Sequence, residues 1–334
     1  MIYFNCDYLE GAHPRILEAF EKTNGIQQPG YGEDEYSQKA IEAIKKHLKK
    51  DQRVKFIHGG TATNALVIAT LLKPYEGVVS VDSGHINVHE TGAVEATGHK
   101  VISLKGKDGK IQSRDLDQLF REHEESPTRI HEVRPAMVYL SQPTEYGTVY
   151  TGEELDEIRK ICQYWDRPLF IDGARLAYLP RDNSLEKIAE VADIFYIGGT
   201  KCGFLLGEAL VYNKIYEEDL SYMIKTMGCL MAKGRVLGIQ FFEMFKDNLY
   251  FELGQKARQQ TLELAEDIQE KGYTIEMPVD ANLIFMRCPL EKYEELQQQF
   301  VFDVDRREKD DIIIRIAISW ATSDDTILQL KKAL

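Results

Sequence analysis

Short runs of β-branched residues alternate with helical patterns through the middle of the sequence. Residues 61–72 and 151–165, for example, carry helical patterns and lie between such runs. This alternation is typical of an α/β domain built around a mainly parallel sheet. The predicted strands are 54–59, 77–82, 99–104, 135–142, 167–173, 193–199 and 208–213.

The alternation stops after Asn213. Residues 215–270 predict long amphipathic helix, and the runs 281–288 and 311–320 predict strands flanked by further helices. The sequence therefore indicates a second, smaller α+β domain, against which, or against a partner subunit, the N-terminal segment is expected to pack. The predicted division is an N-terminal segment of residues 1–25, a large cofactor-binding α/β domain of residues 26–245 and a small C-terminal domain of residues 246–334.

Charge and cysteine content narrow the classes of partner. The net charge of −13, from 41 basic and 54 acidic residues, disfavours nucleic acid and anionic membrane surfaces. The five scattered cysteines form no C-x-x-C pair, which argues against disulfides and a zinc site. The N-terminus has no signal-like pattern, and apolar runs such as ALVIATLL fall far short of the about 18 residues that a membrane span needs. We therefore expect a cytoplasmic protein.

Two ends of predicted strands carry chemically informative side chains. Asp172 ends a strand in FIDGARLAY, where an isolated aspartate more often caps the next helix. Lys201 follows the apolar strand in FYIGGTKCG and sits among small residues, which indicates a tight, partly buried setting. Burial lowers the pKa of an amine and makes the amine nucleophilic toward a carbonyl group.

Two further strand ends carry a glycine-rich turn and a histidine. In HGGTATN, Gly60 and Thr61 stand between a strand and a helix, where backbone N–H groups and the Thr61 hydroxyl would hold a phosphate. The turn lacks both the G-x-G-x-x-G and G-x-x-x-x-G-K-[ST] patterns, which counts against dinucleotides and nucleoside triphosphates. His85 follows the next strand, and for it a capping or core role is about as plausible as a functional one.

Together these residues match the contacts that pyridoxal phosphate requires. The turn would hold the phosphate, and the imidazole of His85 could stack on the ring. Asp172 could pair with the pyridine nitrogen, and Lys201 could form the Schiff base that an amino acid displaces.

The sequence resembles the threonine aldolase and β-eliminating lyase family of fold-type-I pyridoxal-phosphate enzymes. The resemblance spans nearly the whole chain and rests on PGYGEDEYS, GGTATN, GHINVHETGA, QPTEYGTVYT, FIDGARLAY, GGTKCG and IRIAISWATS. It implies an aspartate-aminotransferase-like fold and a homodimer or homotetramer whose active sites borrow residues from both chains.

The same resemblance implies individual roles. Lys201 would be the Schiff-base lysine and Asp172 the partner of the pyridinium, with His85 stacked on the ring. The other implied contacts are Gly60, Thr61 and Thr200 with phosphate, Arg175 and Arg315 with the substrate carboxylate, and Tyr31 at the site or the subunit interface. Independently of the family, Arg315 lies in an apolar strand and needs an anion, which a structural salt bridge would also supply.

Three positions depart from the family pattern. Where threonine aldolases usually carry Thr-His-Asn, this chain has Thr144-Glu145-Tyr146, so Glu145 becomes a candidate base toward the substrate hydroxyl. Cys6 replaces the usual serine before Asp7. Ala232 stands where the family has an arginine that reaches the phosphate of a neighbouring subunit, and Lys233 or Arg235 are candidate substitutes.

The resemblance implies a lyase that cleaves the Cα–Cβ bond of β-hydroxy-α-amino acids such as L-threonine and L-allo-threonine. His85, acting through water, or Glu145 would remove the hydroxyl proton. β-Elimination, transamination or racemisation would use the same cofactor and stay open because Glu145 replaces the histidine. A nucleotide-binding oxidoreductase or a non-catalytic relative is the alternative from another class, and the missing dinucleotide pattern weighs against the oxidoreductase.

Overall fold

A seven-stranded sheet forms the centre of the computed structural model, which describes residues 1–48, 51–180 and 184–334. Its strands are β2 (Gln52–Ile57), β3 (Glu76–Val81), β4 (Val101–Leu104), β5 (Arg134–Ser141), β6 (Leu169–Asp172), β7 (Ile194–Gly198) and β8 (Glu208–Asn213). They lie in the order β2-β8-β7-β6-β5-β3-β4. Each corresponds to one of the predicted strands, so the predicted α/β class is confirmed.

Neighbouring strands from β4 through β7 are parallel, whereas β8 runs antiparallel to both β7 and β2. The strand β2 therefore points the same way as the parallel set. The carboxyl ends of β2, β3, β5, β6 and β7 consequently meet at one edge of the sheet, which is where α/β proteins build their sites.

Side chains of the central strands alternate between two apolar cores. In β5, Val138 and Leu140 contribute to one core, and Met137 and Tyr139 to the core on the opposite face. Burial on both faces explains why the inner strands of the sheet are largely apolar runs. The helices are α1 (Pro14–Thr23), α2 (Glu35–Lys45), α3 (Gly60–Leu71), α4 (His85–Val88), α5 (Ser113–Glu125), α6 (Gly152–Tyr164), α7 (Leu185–Val191), α8 (Glu217–Thr226), α9 (Arg235–Phe245), α10 (Leu249–Glu270), α11 (Leu290–Leu296) and α12 (Asp324–Ala333).

A second, antiparallel sheet lies in the C-terminal part. Its strands are β9 (Thr274–Ile275), β10 (Leu283–Pro289), β12 (Asp303–Arg307) and β13 (Asp311–Ala317), in the order β12-β13-β10-β9. The strand β1 (Ile2–Tyr3) pairs in parallel with β11 (Phe300–Val301), and Phe4 is buried in the C-terminal core. The first residues of the N-terminal segment thus pack against the C-terminal part. The helix α1, later in the same segment, contacts α9. The domain limits at residues 25 and 245 stay predictions.

The expectation of long helix through residues 215–270 is wrong in detail. Three helices, α8, α9 and α10, occupy this stretch. The backbone adopts left-handed angles at Gly228, with φ of 72°, and at Asn248, with φ of 63°. These conformations end the helical path, and both residue types adopt them at low cost. None of the helices in the described part of the chain combines the length and apolar character that crossing a membrane requires.

Candidate active site

A cavity of about 430 Å³ opens at the carboxyl edge of the central sheet. Most of the predicted site residues line this cavity, although they come from distant parts of the sequence. They are Gly60, Thr61, His85, Glu145, Asp172, Arg175, Thr200 and Lys201. The topology explains the meeting, because the turn after β2 and the ends of β5, β6 and β7 all reach this edge.

Lys201 follows β7 by three residues and is partly buried. Burial, together with the nearby positive charge of Arg175, lowers the pKa of its amine, although Asp7, Glu145 and Asp172 oppose the shift. A lowered pKa increases the fraction of neutral, nucleophilic amine. The shift therefore favours the neutral amine that attack on an aldehyde requires.

Asp172, the last residue of β6, is buried and held by hydrogen bonds. Its Oδ2 accepts from the Tyr139 hydroxyl at 2.5 Å and from Asn64 Nδ2 at 3.1 Å, and its Oδ1 accepts from the backbone N–H of Ala174 at 3.0 Å. Burial raises the pKa of this carboxyl. The charge of His85 and the hydrogen bonds from Tyr139 and Tyr196 outweigh that effect, and the pKa falls below its usual value of 3.8. Asp172 is therefore ionised at neutral pH and suited to pair with a pyridinium.

The glycine-rich turn forms the N-terminus of α3, which begins at Gly60. The first N–H groups of a helix have no acceptor within the helix, and the helix dipole favours an anion there. A side chain at Gly60 would approach the Tyr196 hydroxyl to 3.1 Å, so the absence of one keeps the wall of the cavity open beside the turn. The turn, the ionised carboxylate and the amine therefore fit the phosphate, the ring nitrogen and the aldehyde of pyridoxal phosphate.

Thr200 immediately precedes Lys201, lines the same cavity and is hydrogen-bonded to a buried glutamate. Its hydroxyl donates to Glu208 Oε1 at 3.1 Å and accepts from the Gly207 N–H at 3.2 Å. Glu208 also accepts from the Gly199 N–H at 3.1 Å. Burial raises the pKa of Glu208 to about 8, although the charge of Lys201 and the hydrogen bonds from Thr200 and Gly199 oppose the shift, so burial favours the neutral form of this carboxyl.

Arg175 is buried and already paired. Its Nε and Nη2 donate to the two carboxylate oxygens of Asp7 at 2.8 and 3.0 Å. Burial raises the pKa of Asp7, but the charges of Arg175 and Lys201 and the hydrogen bonds of Arg175 and Asn282 lower it to about 2. The remaining nitrogen, Nη1, lies 4.0 Å from Glu145 Oε2. It is the part of this guanidinium left for a substrate carboxylate.

Glu145 occupies the cavity where the family pattern has a histidine. Its Oε1 accepts from the Ser141 hydroxyl at 2.7 Å, and its side chain is 14% exposed. The carboxylate is therefore held toward the cavity from the end of β5. His85, at the start of α4, lines the same cavity, and its Nδ1 lies 2.7 Å from Glu90 Oε1.

Two predicted residues are absent from the described cavity lining. Arg315 forms an ion pair with Asp303 at 2.7 Å and donates to the Asn5 carbonyl at 3.1 Å. It therefore has the structural salt bridge that was the alternative to a substrate contact. Tyr31 is 53% exposed and lines a separate cavity of about 240 Å³, with Lys225 Nζ 5.2 Å from the centre of its ring. The role at a subunit interface stays a prediction.

Several residues of the site were not predicted from the sequence. Asn64 and Glu90 lie inside GGTATN and GHINVHETGA, motifs that were recognised through other members. Glu208 begins the apolar strand β8, and an acid in such a run must be buried or paired, which was a usable signal. The hydroxyl donors Tyr139 and Tyr196 gave no signal, because buried tyrosines in strands are common packing residues.

Comparison with known protein families gives a match over most of the chain. The model of the family described as beta-eliminating lyase matches residues 18–289. A low specificity L-threonine aldolase from Pseudomonas sp. (strain NCIMB 10558) is 28% identical over 306 residues, which cover 89% of this chain and 87% of that protein.

Solved structures agree with the sequence relatives. The threonine aldolase of Leishmania major is 38% identical with a TM-score of 0.95, and the match covers 99% of this chain and 98% of that chain. A Thermus thermophilus aspartate aminotransferase is 13% identical with a TM-score of 0.71, covering 100% and 90% of the two chains. The aspartate-aminotransferase-like fold is thereby confirmed.

Proposed function

Because this chain belongs to the beta-eliminating lyase family, we propose that it is a pyridoxal-phosphate-dependent lyase acting on β-hydroxy-α-amino acids. It cleaves the Cα–Cβ bond of substrates such as L-threonine and L-allo-threonine, giving glycine and an aldehyde. One observation carries the proposal. A cavity in a chain 38% identical to a threonine aldolase brings a lysine of lowered pKa together with an ionised aspartate and a helix N-terminus.

The cofactor, when bound, supplies a ring that accepts the electron pair of the breaking bond. The chain supplies the surroundings that this chemistry needs. Lys201 offers the amine for the covalent link, and Asp172 keeps the ring nitrogen protonated, which strengthens the ring as an electron acceptor. Gly60 and Thr61 would bind the phosphate, and the Thr200 hydroxyl would be a further donor only if its hydrogen were released from Glu208.

Substrate contacts follow from the groups left unpaired around the cavity. Arg175 Nη1 binds the α-carboxylate, because its other two nitrogens are held by Asp7. Arg315 could assist only if its guanidinium were released from Asp303. The β-hydroxyl proton is removed by His85, directly or through water, or by Glu145, since both face the cavity.

The direct test is product formation by the purified protein loaded with pyridoxal phosphate. We expect acetaldehyde and glycine in equal amounts from L-threonine or L-allo-threonine, and none from the Lys201→Ala variant. A cofactor-loaded protein that releases no aldehyde from either substrate would contradict the aldolase assignment. Pyruvate with ammonia, or a pyridoxamine form of the cofactor, would instead identify β-elimination or transamination.

The assembly and the compartment belong to the same proposal. We expect a homodimer or homotetramer, as the family resemblance implies, with the 53% exposed Tyr31, beside the edge strand β2, as a candidate for the subunit interface. Size-exclusion chromatography with light scattering measures the mass of the assembly directly. We also expect the protein in the cytoplasm, since its five cysteines are free and buried, which fits a reducing compartment.

A further inference from the structure

A buried glutamate binds the histidine of the cavity. His85 begins the short helix α4, and Glu90 lies five residues later. The backbone has left-handed angles at Thr91 and Gly92, with φ of 52° and 75°, just after Glu90. The Glu90 side chain has no exposed surface, and its Oε1 lies 2.7 Å from His85 Nδ1.

The same oxygen of Glu90 is linked to the proposed partner of the cofactor. Asn64 Nδ2 donates to Glu90 Oε1 at 2.7 Å and to Asp172 Oδ2 at 3.1 Å. One amide group therefore bridges two buried carboxylates. An ionised carboxylate accepts hydrogen bonds but has no hydrogen to donate. The amide of Asn64 can therefore make both contacts in only one orientation, with its nitrogen toward both acids.

This arrangement needs a proton on the His85 nitrogen that faces Glu90. A buried carboxylate without a cation is costly, and Glu90 Oε2 has no hydrogen-bond partner among the described residues. His85 supplies the donor when Nδ1 carries hydrogen, and it supplies the counter-charge when both ring nitrogens are protonated. The nitrogen left to exchange a proton with substrate or water is then Nε2.

The charged groups around His85 come from several elements. Glu90 and His89 lie on its own segment, Glu145 follows β5, Asp172 ends β6 and Lys201 follows β7. Burial and Lys201 lower the pKa of His85. The hydrogen bond to Glu90 and the charges of Glu145 and Asp172 raise it, and the net direction is upward.

We propose that Glu90 is a positioning residue that holds His85 in the Nδ1–H form at the cavity wall and, through Asn64, connects it to the carboxylate of Asp172. The inference rests on the proposed function for its catalytic meaning, because a fixed Nδ1–H leaves Nε2 as the proton acceptor for the substrate hydroxyl. It assigns a role to Asn64 of GGTATN and to Glu90 of GHINVHETGA, two motifs that also contribute residues to the proposed cofactor site.

The ionisation of His85 is measured by ¹⁵N NMR of histidine-labelled protein, with and without cofactor, and His85→Gln identifies its signals. In the wild type we expect Nδ1 to carry hydrogen at all pH values at which the imidazole is neutral. In Glu90→Gln, which keeps a hydrogen-bonding side chain but removes the charge, the midpoint of His85 ionisation moves to lower pH. Glu95→Gln, an exposed charge loss on the same segment, leaves the midpoint unchanged.

The pH profile of turnover separates positioning from a merely structural role. A neutral base is needed, so kcat/KM rises as His85 loses its proton. In Glu90→Gln the acid limb therefore moves to lower pH, and the plateau falls roughly ten-fold or more because the imidazole is held less firmly and is a weaker base. Glu95→Gln keeps the wild-type limb.

Two results would overturn the inference. One is a wild-type His85 whose neutral form carries hydrogen on Nε2 rather than Nδ1, a result that needs no variant to fold. The other is a folded Glu90→Gln whose ionisation midpoint and acid limb match the wild type. The NMR measurement requires no turnover, so an absence of aldehyde from every protein would contradict the proposed function alone.

Discussion

Asp172 keeps its negative charge inside the protein because hydrogen-bond donors and a nearby histidine compensate for the loss of water. Tyr139, Asn64 and a backbone N–H all donate to it. These donors favour the ionised form over the protonated one. At the scale of single residues, we propose that this carboxylate keeps the ring nitrogen of a bound pyridoxal phosphate protonated.

We expect Asp172→Asn to lower kcat on the order of 10² or more, because an amide cannot hold a proton on the ring nitrogen and the electron-accepting power of the ring falls. The measurement is the rate of acetaldehyde release from L-threonine at saturating cofactor. The control is Asp115→Asn, an exposed aspartate on α5, which should leave the rate unchanged. A rate within a few-fold of the wild type for Asp172→Asn would contradict the assigned role.

The buried pair of Asp7 and Arg175 makes stability depend on pH. The pKa of Asp7 falls on folding from its usual 3.8 to about 2. A lowered carboxyl pKa stabilises the folded state fully above the unfolded value, and the contribution disappears as pH falls from about 4 toward 2. We expect Asp7→Asn to lower the free energy of unfolding by about 3 to 5 kcal/mol at neutral pH, because Arg175 is left buried without its counter-charge.

Urea unfolding at a series of pH values measures this effect. The difference between the wild type and Asp7→Asn should narrow as pH falls below about 4, where Asp7 begins to gain a proton in the unfolded chain. A difference that stays constant down to the lowest pH at which the protein folds would show that packing, rather than charge, dominates at this position.

Residue types at strand ends were predictable, whereas their partners were not. Lys201 and Asp172 stand at recognisable positions, after apolar runs that end in small or polar residues. Arg175 was assigned to the substrate, but Asp7, 168 residues earlier in the chain, takes two of its nitrogens. Such a pairing depends on how the N-terminal segment packs, and no local pattern in the sequence reports it.

At the scale of elements, α10 packs closely behind the site. A β-carbon at Gly254 would lie 1.9 Å from the carbonyl oxygen of Ala177, in the turn that follows Arg175. Because the obstructing atom belongs to the backbone, the helix or the turn must move to accept a side chain. The close contact therefore couples the position of α10 to the position of the Arg175 turn.

We expect Gly254→Ala to lower the free energy of unfolding by about 1 to 3 kcal/mol, although alanine is the better helix former, because overpacking outweighs helix propensity. Urea unfolding measures the change. The matched control is Gly25→Ala, where the added β-carbon meets no atom within 4 Å. A Gly254→Ala protein as stable as the wild type would mean that this contact relaxes without cost.

Strands were easier to predict than the breaks between helices. The inner strands of the central sheet, from β3 through β5, β6 and β7 to β8, are buried on both faces, so each is a largely apolar run of limited length. The division between α9 and α10 depends on Asn248 in a left-handed conformation, within a stretch, residues 215–270, that contains no proline. Tertiary packing selects that conformation, and the amphipathic pattern continues across it.

At the scale of the whole molecule, the turn after β2, the ends of the parallel strands and the N-terminal segment converge at the cavity. Asp7 reaches Arg175 from the N-terminal segment, whose first strand pairs with the C-terminal part. The overall charge of −13 does not prevent anion binding, because the N-terminus of α3 and the buried guanidinium of Arg175 act at short range. The fold class was predictable from the order of elements, but this convergence required the topology.

Reduction of the cofactor-loaded protein with borohydride, followed by mass spectrometry of its peptides, tests the central claim most directly. We predict a phosphopyridoxyl group on Lys201, together with loss of the visible cofactor absorbance in the Lys201→Ala variant. A wild-type protein that stays colourless and unlabelled with excess pyridoxal phosphate, or that is labelled only at other lysines, would contradict the account.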